Sequence, residues 1–294
     1  MSVANGPPLT ALLADLQRRD PLARGDLWIQ GDRAGVGLRP DLFADRAAHL
    51  GVILRDRPDR LLIDLPAAGP RELWVCAALG ERRPGAARPL LAELAAAYPT
   101  PGDLLRDYLD RLLPPLLRLF TAYGVALEAH LQNTLAVVER GRLRAFVVRD
   151  LGGVRIHRPR LRAAGHDMSL APGSFILTDD LAEARDKLAH TLLHAHLAAL
   201  LRWAEDHLGA AAAHGWALAR LILERELAAW AAARALAPAC DLDRAALLAP
   251  RCRAKALFTM RLTDQSSDYS YVDLENPLAR PDVARAAARL AAER

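Results

Sequence analysis

The chain has 294 residues and a mass of 32.0 kDa, with 52% hydrophobic and 25% charged residues, enough for one large domain or two ordinary ones and too apolar for a disordered protein. Only 5% of residues are aromatic, so the core must rest on Leu, Val and Ala, and an aromatic nucleic-acid platform is disfavoured. The net charge of +4 comes almost wholly from arginine, because Lys187 and Lys255 are the only lysines, and the arginines are dispersed among acids rather than gathered into a basic stripe, which argues against a nucleic-acid partner.

Cys76, Cys240 and Cys252 form neither a CxxC pair nor an even set, which excludes a disulfide framework and a thiolate zinc site. The first twenty residues lack a basic stretch followed by an apolar run. The most apolar tract, Ala210 to Pro238, is interrupted by His214, Arg220, Glu224, Glu226 and Arg234. The expectation is a cytoplasmic protein without a membrane partner.

In chain order, Leu9 to Leu16 reads as a short helix, Leu61-Leu62-Ile63 and Leu73-Trp74-Val75 as strands, and Arg88 to Tyr98 as a second helix. Asp103 is placed to cap a helix to Tyr123, in which Leu104, Leu105, Tyr108, Leu109, Leu112 and Leu116 recur at helical spacing and which Gly124 ends. From Asn133 the runs TLAVVE and LRAFVVRD, separated by Arg140-Gly141-Arg142, predict a β-hairpin, and VRIH predicts a third strand. Asp180 with Glu183 has capping-box spacing ahead of a long helix from Leu181 to Leu208. A helix over Ala217 to Leu236, a short one near Asp243, a strand over Ala256 to Leu262, a polar loop through Ser266, Ser267 and Asp268, and a helix over Ala284 to Ala292 complete the chain. The fold class is α+β, a small antiparallel sheet around the hairpin at 134–150 with a mainly helical carboxy-terminal half.

The chemistry concentrates in Glu128-Ala129-His130-Leu131-Gln132-Asn133 and in Arg149-Asp150, because a hairpin returns its second strand's end to the level where the first began. Carboxylates there suit Mg²⁺, amides suit phosphate or sugar, and His or Arg offsets phosphate charge. The alternative is a polar turn with Glu128 and Arg149 as a surface ion pair and Asn133 as a cap. His190 and His194 lie four residues apart, a spacing that places two imidazoles on one metal, yet no HExxH acid accompanies them. Arg251, Arg253 and Lys255 alternate as on one solvated strand face.

EAHLQN followed by RDLGG resembles the signature of the IucA/IucC family, the NRPS-independent siderophore synthetases, and Lys255-Ala256-Leu257-Phe258-Thr259-Met260-Arg261-Leu262 with Asn276-Pro277-Leu278 resembles the family's ending. The resemblance runs from about Leu104 to Leu278 and implies three regions: a mixed amino-terminal segment 1–103, a palm-like region 104–175, and a helical, FhuF-like region 176–294. It implies ATP- and Mg²⁺-dependent adenylation of a citrate-type polycarboxylate and its condensation with an amine or alcohol. Carried over residue by residue, Glu128 and Asp150 would hold Mg²⁺ and the nucleotide, Gln132 and Asn133 would bond the nucleotide, and Arg149 would support them. His130 would meet the carboxylate or the transferring phosphate, and Lys255 and Arg261 would add positive charge. The family's amino-terminal H-P-x-x-K-x-R-x-G-like and Ser/Thr-x-Arg-Thr-like segments do not occur in residues 1–103. The expectation is therefore a truncated or split synthetase, with a homodimer or a separate amino-terminal subunit as partner. The same resemblance leaves open a non-catalytic iron-siderophore or nucleotide-binding protein, FhuF-like but without an iron–sulfur cluster, because three scattered cysteines cannot supply the Cys-Cys and Cys-x-x-Cys ligands of the reductase.

Overall fold

The computed structural model describes residues 3–43, 50–62, 65, 69–264 and 269–293. Its central sheet has four strands in the order β1 (Leu27–Ile29), β7 (Arg142–Val148), β6 (Thr134–Glu139) and β4 (Arg71–Val75). The predicted hairpin forms its middle. β6 and β7 close through Arg140 and Gly141, whose φ angles of 52° and 75° give the two-residue turn that matches strand twist. Side chains alternate across it: Ala136, Val138, Phe146 and Val148 face the main core, while Leu135, Val137, Ala145 and Val147 face a smaller cluster with Trp28 and Leu62. The sheet is mixed rather than purely antiparallel, because β1 joins β7 in parallel, a pairing that a three-residue strand gives no local signal for.

The helix beneath the sheet runs Pro101–Tyr123. Its cap is Thr100, not Asp103: Thr100 Oγ1 accepts from the Asp103 amide, and the Asp103 carboxylate accepts from the Thr100 amide, a reciprocal box that satisfies two end groups. Gly124 ends it at φ 71°, and a Cβ there would sit 2.8 Å from the His157 carbonyl.

Other expectations shift. VRIH forms β8 (Arg155–His157), but in a separate sheet between β5 (Val125–Ala126) and β9 (Leu177–Thr178). Leu61 closes a short helix, Pro58–Leu61, instead of entering a strand, and Ile63 lies outside the described residues. A second pair, β2 (Asp32–Gly37) with β3 (Gly51–Arg55), lies beside the amino-terminal helix Gly6–Arg19. Residues 256–262 were expected as a strand; the strand is β10 (Arg251–Lys255), paired with β11 (Tyr271–Glu275), and Leu257–Leu262 is helical. A short apolar run fits either state, and here the ladder to β11 ends at Lys255. Ser266, Ser267 and Asp268 lie outside the described residues. Helices Ala212–Ala231, Ala237–Leu247 and Pro281–Ala292 complete the helical side, and no described helix is long and apolar enough to cross a membrane.

The long helix predicted over 181–208 is continuous but changes winding. It is α-helical over Leu181–Ala189, π-helical over His190–Leu197 and α-helical again over Ala198–Leu208. Asp180 caps it by accepting from the Ala182 amide, whereas Glu183 turns to Arg155 at 2.9 Å instead of closing a capping box.

Candidate functional site

Residues 127–131 lie along this helix and are fastened to it. Leu127 O accepts from Thr191 Oγ1 at 3.4 Å, Glu128 pairs with Lys187, Ala129 O accepts from His196 Nδ1 at 2.8 Å, and the Leu131 amide donates to Ala195 O at 3.4 Å. The π segment makes this alignment. In an α-helix, five residues carry a side chain about 140° past a full turn, so Thr191 and His196 would diverge; the wider π winding, whose hydrogen bonds reach from i to i+5, turns them closer to one face.

His196 is fully buried, and its Nδ1 must carry the proton that the Ala129 carbonyl accepts. Nε2 therefore accepts from Tyr108 Oη at 2.7 Å, and Cys76 Sγ lies 3.3 Å from the same hydroxyl. Burial pushes His196 down to about 4 and Cys76 up to about 12, so this group under the segment stays uncharged.

Above it opens a cleft of about 420 Å³ lined by Glu128, His130, Gln132, His190, Thr191 and Lys255, among others. Among the described residues Glu128 is the only carboxylate lining it, and it is neutralised from below by Lys187, which is fully buried, while Lys255 Nζ stands 3.7 Å away. Burial pushes the Glu128 carboxyl up, but the two ammoniums outweigh it and hold the group below its ordinary range. Burial lowers Lys187 to about 8 against the pull of Glu128. The Tyr269 ring lies 3.7 Å from Lys255 Nζ, 5.6 Å from Lys187 Nζ and 5.2 Å from the Arg155 guanidinium, a cation–π contact with each. Gly153 is obligatory here, since a Cβ would fall 1.8 Å from Glu128 Oε2.

Of the residues singled out in the sequence, the cleft gathers Glu128, His130, Gln132, His190 and Lys255. The others lie elsewhere. Asn133 is buried, and its amide donates to the His130 carbonyl at 3.0 Å and approaches His130 Nδ1 at 3.3 Å. Arg149 pins the turn, donating from its backbone to Asn133 O at 2.9 Å and from Nη2 to Gln132 O at 3.1 Å. The alternative pairing of Glu128 with Arg149 does not form, because Glu128 belongs to Lys187. Asp150, at φ 65°, caps the turn Leu151–Gly153, and its carboxylate lies 3.3 Å from Arg55, which also holds the buried Asp32 at 2.8 Å. Arg261 is exposed on the helix Leu257–Leu262.

As placed, Glu128 pairs with Lys187 and Asp150 with Arg55, and the turn that Asp150 caps reaches Glu128, because Gly153 lies against its Oε2. Among the described residues no group of three or more His, Cys, Asp or Glu could hold a metal ion. His190 and His194 diverge in use: His190 lines the cleft, and His194 Nε2 meets Cys252 Sγ at 3.2 Å. The sequence offers no reading of Lys187, Tyr269 or Tyr108 as site residues. A signal for Lys187 existed, because only two of the 39 Lys and Arg residues are lysines and both serve one carboxylate.

The family model described as ferric iron reductase FhuF-like transporter matches residues 103–270. An NRPS-independent siderophore synthetase of Rhizopus delemar is 39% identical over 124 residues, 40% of this chain and 19% of that protein. Staphyloferrin A synthase of Staphylococcus aureus is 25% identical over 287 residues, 95% of this chain and 46% of that protein. The chain thus spans less than half the length of these relatives. Among solved structures, the petrobactin biosynthesis protein AsbB of Bacillus anthracis superposes over 100% of this chain and 48% of its own at TM-score 0.80 and 18% identity. ATP-bound aerobactin synthetase IucA of Klebsiella pneumoniae superposes over 95% and 49% at TM-score 0.68 and 22% identity. The chain belongs to the FhuF-like family, and its relatives and its fold are those of the IucA/IucC-type siderophore synthetases.

Proposed function

We propose that this chain handles the nucleotide and the acid in siderophore assembly, activating a citrate-type polycarboxylate with ATP for condensation with an amine or alcohol. The observation that carries this reading is the charge arrangement of the cleft: the one carboxylate that lines it among the described residues is cancelled by a buried lysine, which leaves Lys255, two imidazoles and an amide to meet anions. In the reaction a carboxylate oxygen attacks the α-phosphorus of ATP and pyrophosphate leaves. The amine or alcohol then attacks the acyl carbon, AMP leaves, and the nucleophile gives up its proton. Two anions must first be brought together, and Lys255 would offset their repulsion while His130 and Gln132 orient them. Mg²⁺ would enter with the nucleotide's phosphate oxygens, and Glu128 and Asp150 are the carboxylates that would meet it. The cleft is lined by Ala77, by Glu128, His130 and Gln132 from 104–175, and by His190, Thr191 and Lys255 from 176–294. A second subunit, or a second copy of the chain, would complete the phosphate clamp.

The test is calorimetric titration of ATP·Mg²⁺ and of citrate into the full chain, followed by citrate-dependent exchange of pyrophosphate into ATP. Binding of both ligands, with citrate affinity lowered about tenfold or more in Lys255→Met, is expected. Binding without exchange favours a non-catalytic nucleotide or chelate binder, and the absence of both ligands from the cleft overturns the reading.

A further inference from the structure

The polar groups of the cleft are unequal in what they can still do. Lys187 is spent on Glu128, whereas Lys255 Nζ, at 3.7 Å, stands outside hydrogen-bond range of that carboxylate and keeps its donors. The two imidazoles are each oriented by a backbone amide. The Lys255 amide donates to His190 Nδ1 at 3.2 Å, and the Asn133 amide approaches His130 Nδ1 at 3.3 Å. An N–H can point only at an unprotonated ring nitrogen, so the neutral ring of His190 must carry its hydrogen on Nε2. Among the described residues that Nε2–H has no hydrogen-bond partner, and the ring lines the cleft. The ring stays neutral, since burial first and the Lys255 ammonium next hold it down to about 4.

We propose that His190 is a substrate-binding residue whose Nε2–H, beside the Lys255 ammonium, seats one carboxylate of the polycarboxylic acid. This deepens the proposed function and rests on it. The backbone amide that fixes the ring belongs to Lys255 itself, so the neutral donor and the charged donor are set at a constant spacing by one residue. A carboxylate offers two acceptor oxygens and matches that pair; an amine or an unionised ester does not. The donor is also insensitive to pH across the physiological range, which an imidazolium would not be. The π-helical winding begins at His190, where the helix passes between the fastened segment 127–131 and β10.

The experiment compares citrate and ATP titrations of the full chain carrying His190→Leu and His190→Gln, with long-range ¹H–¹⁵N correlation of the His190 ring in the unsubstituted protein. His190→Leu is expected to weaken citrate about tenfold with ATP affinity unchanged, and His190→Gln, whose amide N–H can replace the donor, to stay within about threefold of the parent. The ring should show Nε2–H at neutral pH, with its nitrogen shift moving on citrate addition. Parent-like citrate affinity in His190→Leu, or a proton found on Nδ1, overturns the assignment while leaving the proposed function standing. A parent protein that binds ATP but no citrate overturns both.

Discussion

The segment 127–132 and the far end of the hairpin at 149–150 carry the same kinds of residue, yet they are held in opposite ways. Around Glu128 the backbone is fastened to a helix by Lys187, Thr191 and His196, and its carboxylate is largely buried. Around Asp150 the carboxylate is 39% exposed, caps its own turn and shares Arg55 with Asp32. Matching polarity therefore does not fix how a carboxylate is held; what counts is which element lies against each polar group and whether it brings charge of the opposite sign.

The comparison breaks most easily at the buried ion pair. Glu128→Gln leaves Lys187 charged and without its carboxylate, and should cost about 3–5 kcal/mol by urea unfolding, while Glu128→Gln with Lys187→Met should recover most of that loss. A cost under about 1 kcal/mol in the single variant would mean that the pair does not hold the segment. pH sharpens the same point. Folding holds Lys187 near 8 instead of its ordinary 10.5, so between those values the unfolded chain keeps a proton that the folded chain has lost, and stability should rise with pH there. Anion affinity should move the other way, falling as pH passes about 8 and the cleft loses a positive charge, a trend that Lys187→Met should abolish in titrations from pH 6.5 to 9.5.

A smaller effect is expected beneath the segment. Tyr108→Phe removes the donor to His196 Nε2 and should cost about 1–3 kcal/mol, read as a lowered unfolding midpoint, because a buried acceptor is left unmet. The smallest belongs to the other region: Asp150→Ala should change stability by no more than about 1 kcal/mol and leave citrate affinity within about twofold, as expected for a partly exposed ion pair outside the cleft lining. A tenfold loss of citrate affinity in that variant would reunite the two regions and bring Asp150 to the citrate as well.

Much of the frame was legible. The hairpin at 134–148, the helix ending at Gly124 and the long helix from Leu181 follow from local periodicity, turn residues and caps, which depend on neighbours in sequence. Five cleft residues, Glu128, His130, Gln132, His190 and Lys255, were also readable, because a polar cluster at a helix-to-strand junction, a pair of histidines four apart and a basic strand face all stand out against apolar surroundings. The Ala256 to Leu262 strand failed because an apolar run of that length suits helix and strand equally, and only pairing with β11 separates them.

By itself, then, the sequence determined that Glu128, His130 and Gln132 share one short segment and that the chain keeps only two lysines. Tertiary structure alone decided that both lysines meet on Glu128, that Asp150 turns to Arg55, and that π-helical winding sets Thr191 and His196 against the same stretch of backbone. Burial and opposite charge act between groups some sixty or more residues apart, and no local pattern encodes which of them will touch.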